Sequence, residues 1–285
     1  MHRRLPCDGL KDSLPGAGAE MRRVFLTLLF ALFASSPLFA AFDNSHSSWS
    51  ELLKQHVKWN AAGTATSVDY AGFSKDRVRL NNYLKTLSSV SRQEYVKWSW
   101  IDQQAFLINA YNAYTVELVL TRYPNLTSIK DIGGVFSSPW KQTFFSLLGE
   151  KRSLDDVEHT LLRGDKRYRD PRIHFAVNCA SIGCPALRDE AYTGAKLGVQ
   201  LEDQTIRFLG DKSRNRFNLK TGQYSVSKIF DWYGDDFEKH AGGVDAFLLR
   251  YSNKTGLSQA DLAFIQKKRF KITYFAYDWA LNKSR

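Results

Sequence analysis

The chain has 285 residues, with 40 Lys and Arg against 29 Asp and Glu, a formal net charge of +11. At 44% hydrophobic and 14% aromatic residues it has the content of a packed globule, which excludes a disordered chain. No RNA- or DNA-binding motif accompanies the charge, so the basic balance points to anionic lipids, cell-wall polymers or acidic glycans rather than nucleic acid.

Residues 1–20 carry Gly, Pro and charge without periodicity and read as a mis-called start. Residues 21–40 have the layout of a secretory signal peptide: Met21-Arg22-Arg23, an apolar run from Val24 to Phe33, and a small-residue exit ending at Ala40. The run is shorter than the roughly 20 residues of a membrane span, so no transmembrane span is expected after cleavage. Peripheral membrane contact is compatible with the charge. The expected location is periplasmic or extracellular. Residues 41–285 then form one globular domain of roughly 245 residues, enough for a sizeable core, with a net charge of about +9. Cys7 falls in the discarded segment and leaves Cys179 and Cys184.

In chain order, Ser48-Trp49-Ser50-Glu51 and Ser91-Arg92-Gln93-Glu94 are capping-box patterns that open helices. A long helix is expected from Asp102 to Arg122, stopped by Tyr123-Pro124. Apolar residues surround it, so it is central and buried, with Asn109 and Asn112 one turn apart. Ser153-Leu154-Asp155-Asp156 starts a short helix through Arg163, ended by Gly164. Ile173/Phe175/Val177 against His174/Ala176/Asn178 alternates as a strand that leads into Cys-x4-Cys. Residues 217–220 and 223–226 flank Thr221-Gly222 as a hairpin, Ser258 to Asp261 is a further capping box, and Lys271 to Tyr277 alternates as a last strand. The fold class is α+β: a helix-rich single domain with a small, mainly antiparallel sheet and a buried central helix.

Several motifs recur together: Phe106-Leu107-Ile108-Asn109-Ala110-Tyr111-Asn112-Ala113, Leu154 to His159, Asp170-Pro171-Arg172-Ile173-His174-Phe175-Ala176 through Cys184-Pro185, Ser227-Lys228-Ile229-Phe230 with Trp232-Tyr233, and Tyr277 to Asn282. The set, over roughly residues 90–282, resembles the domain of unknown function 547 family. That resemblance implies that these segments form one site and implies no particular reaction. A buried helix followed by a His-bearing strand is also similar to the transglutaminase-like arrangement. There the nucleophilic cysteine opens the central helix, where this chain has asparagines.

The residues themselves leave several chemistries open. In the first, Cys184 is a nucleophile: Pro185 after it favours a helix start whose dipole would stabilise a thiolate. His174 or His159 would be the base, Glu158 the group that orients it, and Asn178, Asn109 or Asn112 an orienter or oxyanion donor. This reading is a thiol-dependent hydrolase or acyl transferase acting on amide or ester bonds, with a cell-envelope peptide as substrate. In the second, Cys179 and Cys184 form a disulfide, as export favours, in a non-catalytic binding or scaffold domain whose basic surface meets anionic polymers. The third is a zinc set of His159, His174, Cys179 and Cys184, with cysteine spacing at the wide end of the usual range. Apart from that set the sequence calls for no cofactor. Asp235-Asp236 reads as a solvated face, and Trp279 as the anchor of the last strand.

Overall fold

The computed structural model describes residues 41–134, 137–267 and 270–284; the segments read as a mis-called start and signal peptide lie outside them. Helix α1 (Ser47–His56) opens the fold. The expected box at Ser48 is not its start: Asp43 accepts from the Ser47 N–H at 3.0 Å, one turn earlier. A two-stranded sheet, β1 (Val57–Trp59) and β2 (Thr66–Val68), leads into α2 (Tyr70–Lys75) and α3 (Arg77–Ser89). Helix α4 (Arg92–Tyr95) is capped as expected, with the Ser91 hydroxyl accepting from the Glu94 N–H at 3.1 Å.

Helix α5 (Trp100–Leu120) is the centre of the molecule, and nearly every residue on it from Gln103 onward is buried. Its apolar residues cover the whole circumference because α2 and α3 pack on it on one side and the segments 156–162 and 194–196 on others. A hairpin, β3 (Phe145–Leu147) and β4 (Glu150–Arg152), follows. The Ser153 box closes reciprocally: its hydroxyl accepts from the Asp156 N–H, and the Asp156 carboxylate accepts from the Ser153 N–H. The helix it opens widens into a π-helix over Asp156–Leu162, and the Arg163 N–H reaches back to the Glu158 carbonyl at 2.9 Å.

The expected strand over residues 173–178 does not form. Pro171–Phe175 is a short 3-10 helix instead, opened by Asp170, whose carboxylate accepts from the Arg172 N–H at 2.9 Å. Ile173, His174, Phe175 and Ala176 are all buried, so the alternation in the sequence has no burial behind it. A run enclosed on every side gives no reliable period.

Helix α6 (Leu197–Gly210) precedes the expected hairpin, β5 (Arg216–Asn218) and β6 (Gln223–Val226). Helices α7 (Ile229–Trp232), α8 (Gly234–Ala241), α9 (Val244–Tyr251) and α10 (Gln259–Gln266) follow, the last capped by the Ser258–Asp261 box. Strand β7 (Lys271–Tyr274) pairs parallel with β6 and ends earlier than its pattern suggested. The chain is mostly helical with small, mainly antiparallel sheets, an α+β fold. No described helix is long and apolar enough to cross a membrane.

The core has two clusters. One surrounds α5; the other joins Phe175, the C-terminal half of α6, α7 to α9 and the three-stranded sheet. After β7 the chain runs back across the seam between them. It hydrogen-bonds to the Cys179–Cys184 loop through Gly183 N–H to Asp278 O (2.9 Å) and Ile182 N–H to Ala280 O (2.8 Å).

Candidate active site

A cavity of about 310 Å³ opens at this seam. Asp155, Glu158 and His159 enter it from the π-helix, and His174 and Cys179 from the segment after it. Tyr111 comes from α5, Trp232 and Tyr233 from the α7 end, and Tyr277 and Trp279 from the returning tail. Glu158 and His159 were candidates from the sequence; Asp155, one turn earlier on the same helical segment, was not among them.

His174 is 2% exposed. Its Nε2 lies 2.8 Å from Asp236 Oδ2, and Arg163 Nε donates to the same oxygen at 2.7 Å. The hydrogen bonds from His174 and Arg163 hold the Asp236 carboxyl well below the usual carboxylate range. An anionic Asp236 accepts, so His174 carries its proton on Nε2 and the lone pair of the neutral ring is on Nδ1. Burial lowers the His174 pKa and keeps the ring neutral, although Asp236 pulls the other way. Nδ1 is buried and has no hydrogen-bond partner. The ring stacks on Tyr233, centroids 3.9 Å apart, and the Arg163 guanidinium lies 5.0 Å from that same Tyr233 ring.

The remaining polar groups hold one another. Tyr233 Oη donates to Glu158 Oε1, and Arg163 donates to His159 Nδ1 at 2.7 Å. His159 Nε2 faces Asp155 Oδ1 at 3.5 Å. Burial raises the phenols of Tyr111, Tyr233 and Tyr277, with Glu158 adding to each, so all three stay protonated donors. Trp232 and Trp279 stack at 5.6 Å, with Trp232 44% exposed, and form an aromatic wall.

Cys179 and Cys184 form a disulfide. Cys184 is 1% exposed and bridged, so the free nucleophilic thiol expected there is not what the structure contains. The zinc set is not assembled either: among the described residues no group of three or more His, Cys, Asp or Glu side chains is placed to hold a metal. The expected oxyanion donors lie elsewhere. Asn109 bonds both ways to the Tyr192 backbone, at 2.7 and 3.0 Å. Asn112 spans the Ala176 carbonyl (3.0 Å) and the Asn178 N–H (2.8 Å). Asn178 bonds the Pro185 carbonyl (2.7 Å) and the Ala180 N–H (2.9 Å). Asn112 and Asn178 hold the loop, Asn109 holds the backbone at Tyr192, and none of the three lines the cavity.

Sequence reasoning missed Asp236 as the partner of His174: it weighed a pairing of Asp235-Asp236 with the basic residues from Arg163 to Arg172 and preferred a solvated face, whereas Asp236 pairs with Arg163 and His174. It also took Trp279 as the anchor of the last strand; Trp279 lies beyond β7 and lines the cavity wall.

No curated protein and no solved structure matches the chain. Residues 96–209 match the family model described as "Protein of unknown function, DUF547". The matched span holds Glu158, His174 and both cysteines, and stops before Tyr233, Asp236 and Tyr277. The chain thus carries a DUF547 family domain over residues 96–209.

Proposed function

We propose that the cavity is the active site of a hydrolase or acyl transferase acting on amide or ester bonds, with His174 as general base. The observation that carries this reading is the Asp236–His174 pair. The carboxylate fixes the tautomer through Nε2 and leaves the lone pair on Nδ1 of a residue that lines the cavity, the division of labour a general base requires. With Cys184 bridged, the acceptor that His174 deprotonates is a water or a substrate hydroxyl. The proton goes to Nδ1, and Asp236 stabilises the imidazolium that results. The hydroxyl of Tyr111, a neutral donor lining the cavity, is the group on which a developing oxyanion would lean. The aromatic wall of Trp232 and Trp279 suits a substrate with a flat apolar face. The segment 21–40 and the disulfide favour an exported enzyme working on envelope peptides.

The test is hydrolysis of aryl acetate esters and of muramyl-peptide amides by the purified chain. The His174→Gln variant is expected to lose about 10²–10⁴-fold in kcat/KM. Unchanged turnover in that variant, or no turnover of either substrate class by the parent, overturns the assignment.

A second reading, a binding domain for anionic envelope polymers, rests on a separate cleft of about 380 Å³. Lys166, Arg169 and Lys239 line it without ion pairs among the described residues, while its three aspartates are each engaged by an arginine. Polyphosphate binding, followed by anisotropy, is expected to weaken in Lys166→Glu and Arg169→Glu. Equal binding by parent and variants removes this reading.

A further inference from the structure

The disulfide forms one wall of the cavity, and its two sulfurs differ in surroundings. Cys179 is half-buried and lines the cavity; Cys184 is 1% exposed behind it. Two backbone donors point at Cys184 Sγ alone, the Cys179 N–H at 3.0 Å and the Ser181 N–H at 3.4 Å, while Tyr277 Oη lies 3.2 Å from both sulfurs. The loop is held for this arrangement. Ala180 takes a left-handed φ of 63°, uncommon for a residue with a side chain. A Cβ on Gly183 would meet the Tyr277 ring at 3.0 Å, so glycine there lets the phenol approach.

We propose that Cys179–Cys184 is a redox-active disulfide that exchanges with an external dithiol, with Cys179 as the sulfur attacked and Cys184 as the leaving thiolate. This goes beyond the hydrolytic reading and does not depend on it. A thiolate of the partner attacks Cys179 Sγ, the Cys179–Cys184 bond breaks, and its electron pair stays on Cys184. The two backbone N–H groups are already directed at the atom that gains the charge, the Tyr277 hydroxyl can turn to it once the bond opens, and a stabilised leaving thiolate departs faster. The partner's second thiolate then attacks its own sulfur in the mixed disulfide and releases Cys179 as a thiolate. The partner is oxidised to its disulfide and the protein takes up two electrons. The donor geometry favours Cys184 as the leaving group, and exposure favours Cys179 as the target, so both select the same direction of cleavage.

The full chain, undenatured, is titrated in dithiothreitol and in glutathione redox buffers, quenched by alkylation and mapped by mass. The expected result is complete reduction by dithiothreitol without denaturant, with the glutathione adduct on Cys179. In the single variants, the ultraviolet thiolate absorbance of Cys184 in Cys179→Ser is expected to titrate below the ordinary ~8.5 of a free cysteine, and that of Cys179 in Cys184→Ser near it. Tyr277→Phe, which keeps the ring, is expected to raise the Cys184 value by about one unit. Reduction only after unfolding, adducts on Cys184, or equal titration of the two thiols overturns the proposal. None of these readouts measures hydrolysis, so a failed esterase assay and a failed exchange assay are told apart.

Discussion

The asparagines of α5 and the histidine of the cavity are equally withdrawn from water: Asn109, Asn112 and His174 are all 2% exposed or less. Their valences are spent differently. Both ends of each asparagine amide are bonded to backbone 64 to 83 residues away. His174 is bonded at one nitrogen, and the other is left unpartnered. Other buried atoms also lack partners, Trp49 Nε1 and Gln104 Nε2 among them, but of these only His174 belongs to the cavity wall. A polar group that closes its hydrogen bonds inside the protein has structural work to do. One left unpartnered on a residue that lines a cavity calls for an explanation other than packing.

The largest expected effect comes from breaking the satisfied side of this comparison. Asn112→Ala leaves the Ala176 carbonyl and the Asn178 N–H unpaired and is expected to cost about 2–4 kcal/mol in urea unfolding. A loss under about 0.5 kcal/mol, the range of a surface change, would show that the amide bridges nothing of consequence.

On the unsatisfied side the effect depends on pH. The folded pKa of His174 lies below its ordinary value of 6.5 because burial penalises the charged ring. The unfolded chain therefore takes up that proton first. Stability is full above pH 6.5 and falls as the pH drops through the folded value. His46, which burial lowers to about 4, acts in the same direction over an overlapping window. The depressed Asp236 carboxyl adds a further loss that begins below its ordinary value of 3.8, screened because the group is partly exposed. The urea midpoint is expected to decline from pH 7 to pH 5, and His174→Gln to flatten part of that slope and leave the share due to His46. An unchanged slope in the variant would mean that His174 is protonated in the fold.

The smallest effect is expected at Gly183→Ala. Its Cβ would press on the Tyr277 ring at 3.0 Å, and a ring edge can give, so about 1 kcal/mol is expected. Loss of the lowered Cys184 titration without loss of stability would sharpen the same point, with Tyr277 set by the loop and not by the core.

What the sequence determined was local. The Ser91, Ser153 and Ser258 caps, the enclosed helix α5 and the β5–β6 hairpin are written in patterns a few residues long, because capping, turn geometry and helical burial act over one or two turns. Glu158 and His159 on the π-helix came from the same local rule. The pair of cysteines allowed a bridge, a metal or free thiols, and only the turn at Ala180 and Gly183 selected the bridge. The tertiary structure decided the rest. Asp236 reaches His174 across 62 residues, Tyr233 reaches Glu158 across 75, and Tyr277 reaches Cys179 across 98. No periodicity encodes such meetings. They follow from packing the second cluster and the returning tail against α5, and the apparent strand at residues 173–178 gave way to the same enclosure.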